Sequence, residues 1–215
     1  MDSSSILMTL LDQWKIWWAE TANERPEYQG DKSSWRVASP RRNPEDEDWW
    51  FTNGYKFFDR WVQWRDDNPH MVIATFSDGE PAIEIEASPT VEGVEVKMFI
   101  DRVFYDTEKS EYCIVDLKTG NTTPDSALQL AFYSYGLRKV YGLEVTKGYY
   151  WMARKGELSP SFDLADYTDS KIEALVTMFD RARKDNIFVP NFQHCKMCGL
   201  TEHCDWYTQP KENDE

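Results

Sequence analysis
Two aspartates stand inside apolar, strand-like runs. Asp101 lies in Phe99-Ile100-Asp101-Arg102-Val103, and Asp116 in Cys113-Ile114-Val115-Asp116-Leu117. An ionised carboxylate in a strand core is costly unless a partner or a cation compensates it. The fold must therefore bring such a group to both aspartates. Side chains alternate along a strand, so Lys118, two residues after Asp116, shares its face. Asp101 on a neighbouring strand completes a cluster of two carboxylates and an ammonium. Paired carboxylates are hard oxygen donors suited to Mg²⁺ or Mn²⁺. A lysine beside them can orient an attacking water and balance charge that builds up on a phosphate. Gln129 and Tyr133 are four apart, share one face of the helix expected next, and can reach the same place.

The surrounding pattern supports strands at this point. Residues 5 to 22 carry Ile6, Leu10, Trp14, Trp17 and Trp18 at helical spacing. Residues 23 to 47 are polar, with prolines at 26, 40 and 44, and read as loop. A second helix is expected over 48 to 66, stopped by Asp66-Asp67-Asn68-Pro69. Short apolar or alternating stretches then follow at 71–76, 82–87, 94–105 and 111–117, parted by turn signals such as Val91-Glu92-Gly93. A helix over 124–141, a strand over 146–153 and a helix over 169–185 complete the pattern. The expected class is α/β: a central mixed, mostly antiparallel sheet flanked by helices. The chain divides into an N-terminal helical region (1–70), a core (71–187), a Cys-rich segment (188–208) and an acidic, disordered tail (209–215).

Composition sets one tension. The net charge is −14, and phosphate binding is driven by Lys and Arg. Metal-dependent sites concentrate carboxylates, however, and the distribution of charge matters more than its sum. Some of the acidity sits in Glu45-Asp46-Glu47-Asp48 and in the C-terminal tail. No apolar run is long enough to span a bilayer, and the N-terminus lacks a basic region before its apolar residues, so a cytoplasmic protein is expected. Four cysteines in that compartment favour metal or free thiols over disulfides.

Three segments in order carry a resemblance: Gly93 to Arg102, Ile114-Val115-Asp116-Leu117-Lys118-Thr119-Gly120, and Gln129-Leu130-Ala131-Phe132-Tyr133. They are similar to the successive motifs of the PD-(D/E)XK nuclease superfamily, in its RecB-like branch of CRISPR-associated and phage-type exonucleases. The resemblance implies a restriction-endonuclease-like core and metal ligation by Asp101, Asp116 and the backbone carbonyl of Leu117. It further implies a catalytic role for Lys118, supported by Gln129 and Tyr133. Glu84 and Glu86, two apart on one strand, are candidates for an outer ligand or for an exposed strand face. Relatives of this branch carry a metal-binding histidine after a glycine on the helix before the sheet. The stretch Thr52 to Arg60 contains Gly54 but no histidine, and Asp59 is the oxygen donor available there.

Cys195-x-x-Cys198 followed by Cys204 resembles the C-terminal cluster of the same branch, where a distant N-terminal cysteine completes a [4Fe–4S] site. Here no cysteine precedes Cys113, and Ser39-Pro40-Arg41-Arg42 stands where that cysteine is expected. Three readings stay open: a lost cluster, an iron–sulfur cluster completed otherwise, or a Zn²⁺ site with His194 or His203 as fourth ligand.

Expected DNA contacts are Arg102, Arg138 and Lys139, with Lys97, Lys147, Arg154 and Lys155 as further candidates. Tyr149, Tyr150 and Trp151 read as a buried strand or as a stacking platform. The implied function is metal-dependent, sequence-tolerant DNA exonuclease activity on single- or double-stranded ends, in recombination or repair of phage or mobile-element type. Recombination or replication proteins would be its partners and, for a phage protein, the host cytoplasm its location. The alternative is a catalytically reduced DNA-binding or protein-interaction module on the same fold; the net charge alone motivates a DNA mimic.

Overall fold
The computed structural model describes residues 3–24, 45–76, 79–187, 191–192, 195, 198–204 and 206. Most of the expected loop 23–47, together with Ser39 to Arg42, and the acidic tail lie outside them. Helix α1 runs over Ser3–Glu24 and α2 over Glu47–Asp67. The α2 N-terminus is set by Asp46, whose carboxylate accepts the Trp49 N–H at 2.9 Å, satisfying one of the unpaired donors of the first turn. The two helices cross closely at Gly54, where a Cβ would come within 2.5 Å of the Trp14 ring.

Strands β1 (Met71–Ile73), β2 (Ile83–Ala87), β5 (Met98–Asp106), β6 (Glu111–Lys118), β7 (Lys147–Met152), β8 (Glu157–Leu158) and β9 (Phe162–Asp163) form one sheet in the order β1-β5-β6-β7-β8. Strand β2 pairs with β5, and β9 with β7. All pairings are antiparallel except β6–β7, which is parallel. A parallel neighbour needs a crossover, and this one contains α3 (Leu128–Gly136). Helix α4 (Asp169–Lys184) packs against α3 on the same side. The protein is thus a mixed α/β fold with a curled central sheet flanked by helices, the restriction-endonuclease-like class the sequence implies.

Several boundaries differ from the sequence pattern. The expected strand 94–105 is two elements. Val94–Glu95 (β4) closes a small hairpin with Thr90–Val91 (β3), and β5 begins only at Met98. The break follows from Glu92 and Gly93, both at positive φ (48° and 81°), a two-residue hairpin turn. The expected helix 124–141 starts at Leu128 and its last turn, Leu137–Tyr141, is π-helical, ending on left-handed Gly142. Strand β1 is shorter than 71–76, and the two short strands β8 and β9 carry no alternation long enough to read.

The sheet buries both faces. Phe104, Cys113, Val115 and Trp151 pack with Trp61 and Trp64 of α2. Val103, Ile114, Tyr150 and Met152 pack with Leu130, Tyr135, Ile172 and Val176 of α3 and α4. Gly136 allows that second layer to close, because a Cβ there would stand 2.6 Å from Met98 Sδ and 3.0 Å from Ala87 Cβ.

The turn after β5 is held by buried Asp106. Its Oδ1 accepts the Glu108 and Lys109 N–H groups at 3.0 and 3.1 Å, and its Oδ2 pairs with Lys109 Nζ at 2.9 Å. Burial pushes the Asp106 carboxyl up, but the hydrogen bonds and charge of Lys109 and the Glu108 amide outweigh it and hold the pKa below the ordinary 3.8. A depressed carboxylate stabilises the fold above its unfolded pKa and loses that contribution as pH falls through the folded value. Asp106→Ala is therefore expected to cost about 1–3 kcal/mol at neutral pH. The gap to wild type should shrink below about pH 4, which denaturation at the two pH values measures.

Candidate active site
The β5–β6 register pairs Arg102 with Val115. One further step sets Asp101 opposite Asp116. Asp116 points to the α3 side and is 2% exposed. Its Oδ2 lies 2.5 Å from Lys118 Nζ, yet this buried oxygen accepts no aligned hydrogen bond. Lys118 instead donates to Gln129 Oε1 at 3.0 Å, and Gln129 Nε2 donates to the Tyr133 hydroxyl at 2.8 Å. Tyr133, like Lys118, bears on the Asp116 carboxyl and favours its charged form, so the four side chains form one cluster. Two residues along β6 and four along α3 suffice to build it, because the crossover lays α3 over the end of β6.

Burial pushes the Asp116 carboxyl above its ordinary 3.8 and the nearby Asp101 adds to the rise, while Lys118 and Tyr133 oppose it. The Tyr133 hydroxyl is raised by burial first, with both aspartates contributing. Asp101 Oδ2 accepts the Leu117 N–H at 2.7 Å, which fixes the carboxylate against the start of the Leu117-Lys118 segment. A sequence reading does not single out Tyr150 for this site. It is the register partner of Asp116 on β7, and its ring centroid lies 5.5 Å from Lys118 Nζ.

The other candidates are distributed differently. Glu84 lies opposite Asp101, between the pairs Ile83–Arg102 and Ile85–Ile100, but its φ of +50° breaks the alternation of β2. The regular alternation on which a shared face for Glu84 and Glu86 rests is thus interrupted at Glu84. Glu86 is a surface ion pair with Lys97 at 2.9 Å and also accepts from Ser88. Beside Glu84, β5 changes its inward parity: Met98 and Ile100 enter the α3-side core before this point and Val103 after it. Left-handed backbone on a non-glycine residue is uncommon, and here it stands opposite Asp101. Asp59 is exposed on α2, while Phe57 and Phe58 occupy the side of that helix nearest Lys118.

Arg138 binds Asp169, Glu144 and Ser134, and Lys139 binds Asp169 and Glu173. Their charge ties the π-helical turn to α4 rather than facing an open groove. Lys147 pairs with Asp163 and Arg154 with Glu45. Tyr150 and Trp151 are core residues, 1% and 2% exposed, not an open stacking platform. Arg102 donates to its neighbour's carbonyl, Asp101 O, at 2.6 Å.

In the C-terminal segment Cys195, Cys198 and Cys204 are free thiols, linked only locally by Cys198 N–H to Cys195 O at 3.1 Å and Cys204 N–H to Thr201 O at 3.4 Å. His203 is exposed, and His194 lies outside the described residues. Among the described residues no three His, Cys, Asp or Glu side chains converge on one point. Cys113 is a buried core thiol whose pKa burial pushes up to about 12.

A carboxylate pair bridging two strands, a lysine two residues on, and a Gln–Tyr pair from the crossover helix form the arrangement that the sequence motifs imply. The match to the PD-(D/E)XK nuclease superfamily spans residues 17–205. The chain belongs to this superfamily. It is also 28% identical over 177 residues to the "Gene 69 protein" of Mycobacterium phage D29, covering 79% of this chain and 64% of that protein. Against the "Gene 69 protein" of Mycobacterium phage L5 it is 25% identical over 195 residues, covering 79% and 66%. The chain therefore spans just under two thirds of these relatives. Membership gives the chain the nuclease fold of a superfamily that generally uses divalent metals. Among the described residues no helix is long and apolar enough to cross a membrane.

Proposed function
We propose that the protein is a Mg²⁺- or Mn²⁺-dependent, sequence-tolerant DNA exonuclease of the RecB-like branch, acting in phage DNA recombination, repair or processing. The observation that carries this reading is the cluster of Asp116, Lys118, Gln129 and Tyr133, with Asp101 on the neighbouring strand. A buried carboxylate oxygen that is ion-paired with Lys118 but accepts no aligned hydrogen bond keeps unused acceptor capacity in a protein interior and suits a hard cation. Asp101, Asp116 and the Leu117 carbonyl are the proposed ligands. The bound ion would lower the pKa of the attacking water and neutralise phosphate charge.

The chain's own residues do the rest. Lys118 presents a fixed positive charge where negative charge grows on the phosphate, which works best when the donor is held in advance. Gln129 does that holding, while Tyr133 orients Asp116 from the other side. Arg102, free of carboxylate partners among the described residues, is the proposed phosphate contact. Recognition then rests on the backbone of the nucleic acid and reads no base sequence.

Linear and covalently closed circular DNA of one sequence separate end-directed cutting from internal cutting. Linear DNA should be consumed to mononucleotides and short oligonucleotides in Mn²⁺ while the closed circle survives. Linearisation of the circle would overturn the exonuclease assignment. A second reading, a module of reduced activity, draws on the absence of a third converging donor among the described residues. It predicts DNA binding without cutting.

A further inference from the structure
Beside the catalytic cluster is a cavity of about 290 Å³ walled by Trp14, Trp50, Phe57, Phe58, Trp61 and Trp151. Arg102, Leu117, Lys118 and Thr119 complete its lining. The rings are set at steep angles, Trp61 to Trp151 at 75° with centroids 5.1 Å apart and Trp14 to Phe58 at 66° and 5.7 Å. They form a slot rather than a closed stack. Two features separate this slot from an ordinary core defect. First, its lining reaches the site, since Leu117 and Lys118, which directly follow Asp116 on β6, are part of it. Second, one of its two cations has no carboxylate partner among the described residues. Arg102 makes no ion pair among the described residues, whereas Arg138, Lys139, Lys147 and Arg154 are all held by carboxylates. An aromatic slot next to an unpaired guanidinium complements a nucleotide: a flat π-face beside a phosphate.

We infer that this cavity is a base-binding subsite that takes the unpaired base of the terminal nucleotide, with Arg102 on its phosphate, while the adjoining bond lies at Asp101 and Asp116. The inference rests on the nuclease reading and narrows its substrate to strand ends whose last base is single-stranded or frayed. The volume lies near the lower end, about 300 Å³, of small-molecule sites, which suits one base. Aromatic stacking tolerates any base, in keeping with sequence-tolerant cutting.

The test compares two fluorescein-labelled single-stranded oligonucleotides that differ only in having a normal or an abasic nucleotide at both ends. Binding is measured by anisotropy in EDTA, where cutting does not interfere. Wild type should bind the base-bearing strand roughly 5- to 100-fold more tightly. Phe58→Ala should erase that preference and Phe58→Tyr should keep it. Equal binding of both strands by wild type means that the cavity is empty or filled by another part of this chain, and overturns the inference. Full preference in folded Phe58→Ala overturns it too. If Phe58→Ala fails to fold, the wild-type comparison decides. Metal-dependent cutting by wild type, followed in parallel, tests the nuclease reading separately: cutting without base preference leaves that reading standing and removes only the subsite.

Discussion

Lys118→Met should lower kcat on linear DNA by roughly 10²–10³, the usual effect of removing one pre-positioned group that meets developing charge. Methionine keeps much of the length of the stem and removes the ammonium, so the change reports charge. A second signature follows from Asp116. Lys118 is one of the two groups that pull down the Asp116 carboxyl against its burial. Without it the carboxyl rises further, and the acid limb of the pH–rate profile moves to higher pH. A residue that only packed would lower activity without moving the limb. An unchanged kcat together with an unchanged limb would remove Lys118 from the site. Gln129→Leu should give a smaller loss, because Gln129 meets Lys118 and Tyr133 rather than the reacting atoms.

Phe104→Ala should destabilise the protein by about 3–5 kcal/mol, the range for a fully buried phenylalanine. Phe104 is 0% exposed and meets Trp61 and Trp64 with ring centroids at 6.2 and 5.9 Å. Its other face carries the Arg65 guanidinium at 5.0 Å. Truncation would open a void in the layer that fixes α2 to the sheet, and a domain holds only about 5–15 kcal/mol in total. The matched control is Phe99→Ala on the same strand, 55% exposed, with a cost expected within about 0.5 kcal/mol. Urea titration of both compares them directly. Equal midpoints would mean that α2 does not pack on the sheet as described.

The part of the site that was legible in the sequence is the part set by short-range periodicity. Asp116 and Lys118 lie two apart in a strand, and Gln129 and Tyr133 four apart in a helix, so their faces follow from geometry alone. Asp101 could be added because its strand is the hairpin neighbour of β6. Glu84 and Glu86 illustrate the limit: period two places them on one face, and a positive φ at Glu84 interrupts that alternation, which no pattern of residue types foretells. Arg138 and Lys139 looked free for DNA because their partners, Asp169 and Glu173, are more than thirty residues away on α4. The aromatic cavity was hidden for the same reason. Its walls come from α1, α2, and the ends of β6 and β7, and only the fold brings them together. The π-helical end of the crossover helix was not legible either, since the apolar positions of 137–141 continue those of a regular helix.

The most direct test of the central claim is release of acid-soluble nucleotides from uniformly labelled linear DNA by wild type and Asp116→Ala, each with Mn²⁺ and with EDTA. The account predicts release by wild type in Mn²⁺ alone, and a fall of roughly 10³ or more in the variant, comparable to the loss of a group that acts only in the transition state. Equal release by wild type and Asp116→Ala, or release by wild type that EDTA does not stop, would contradict it.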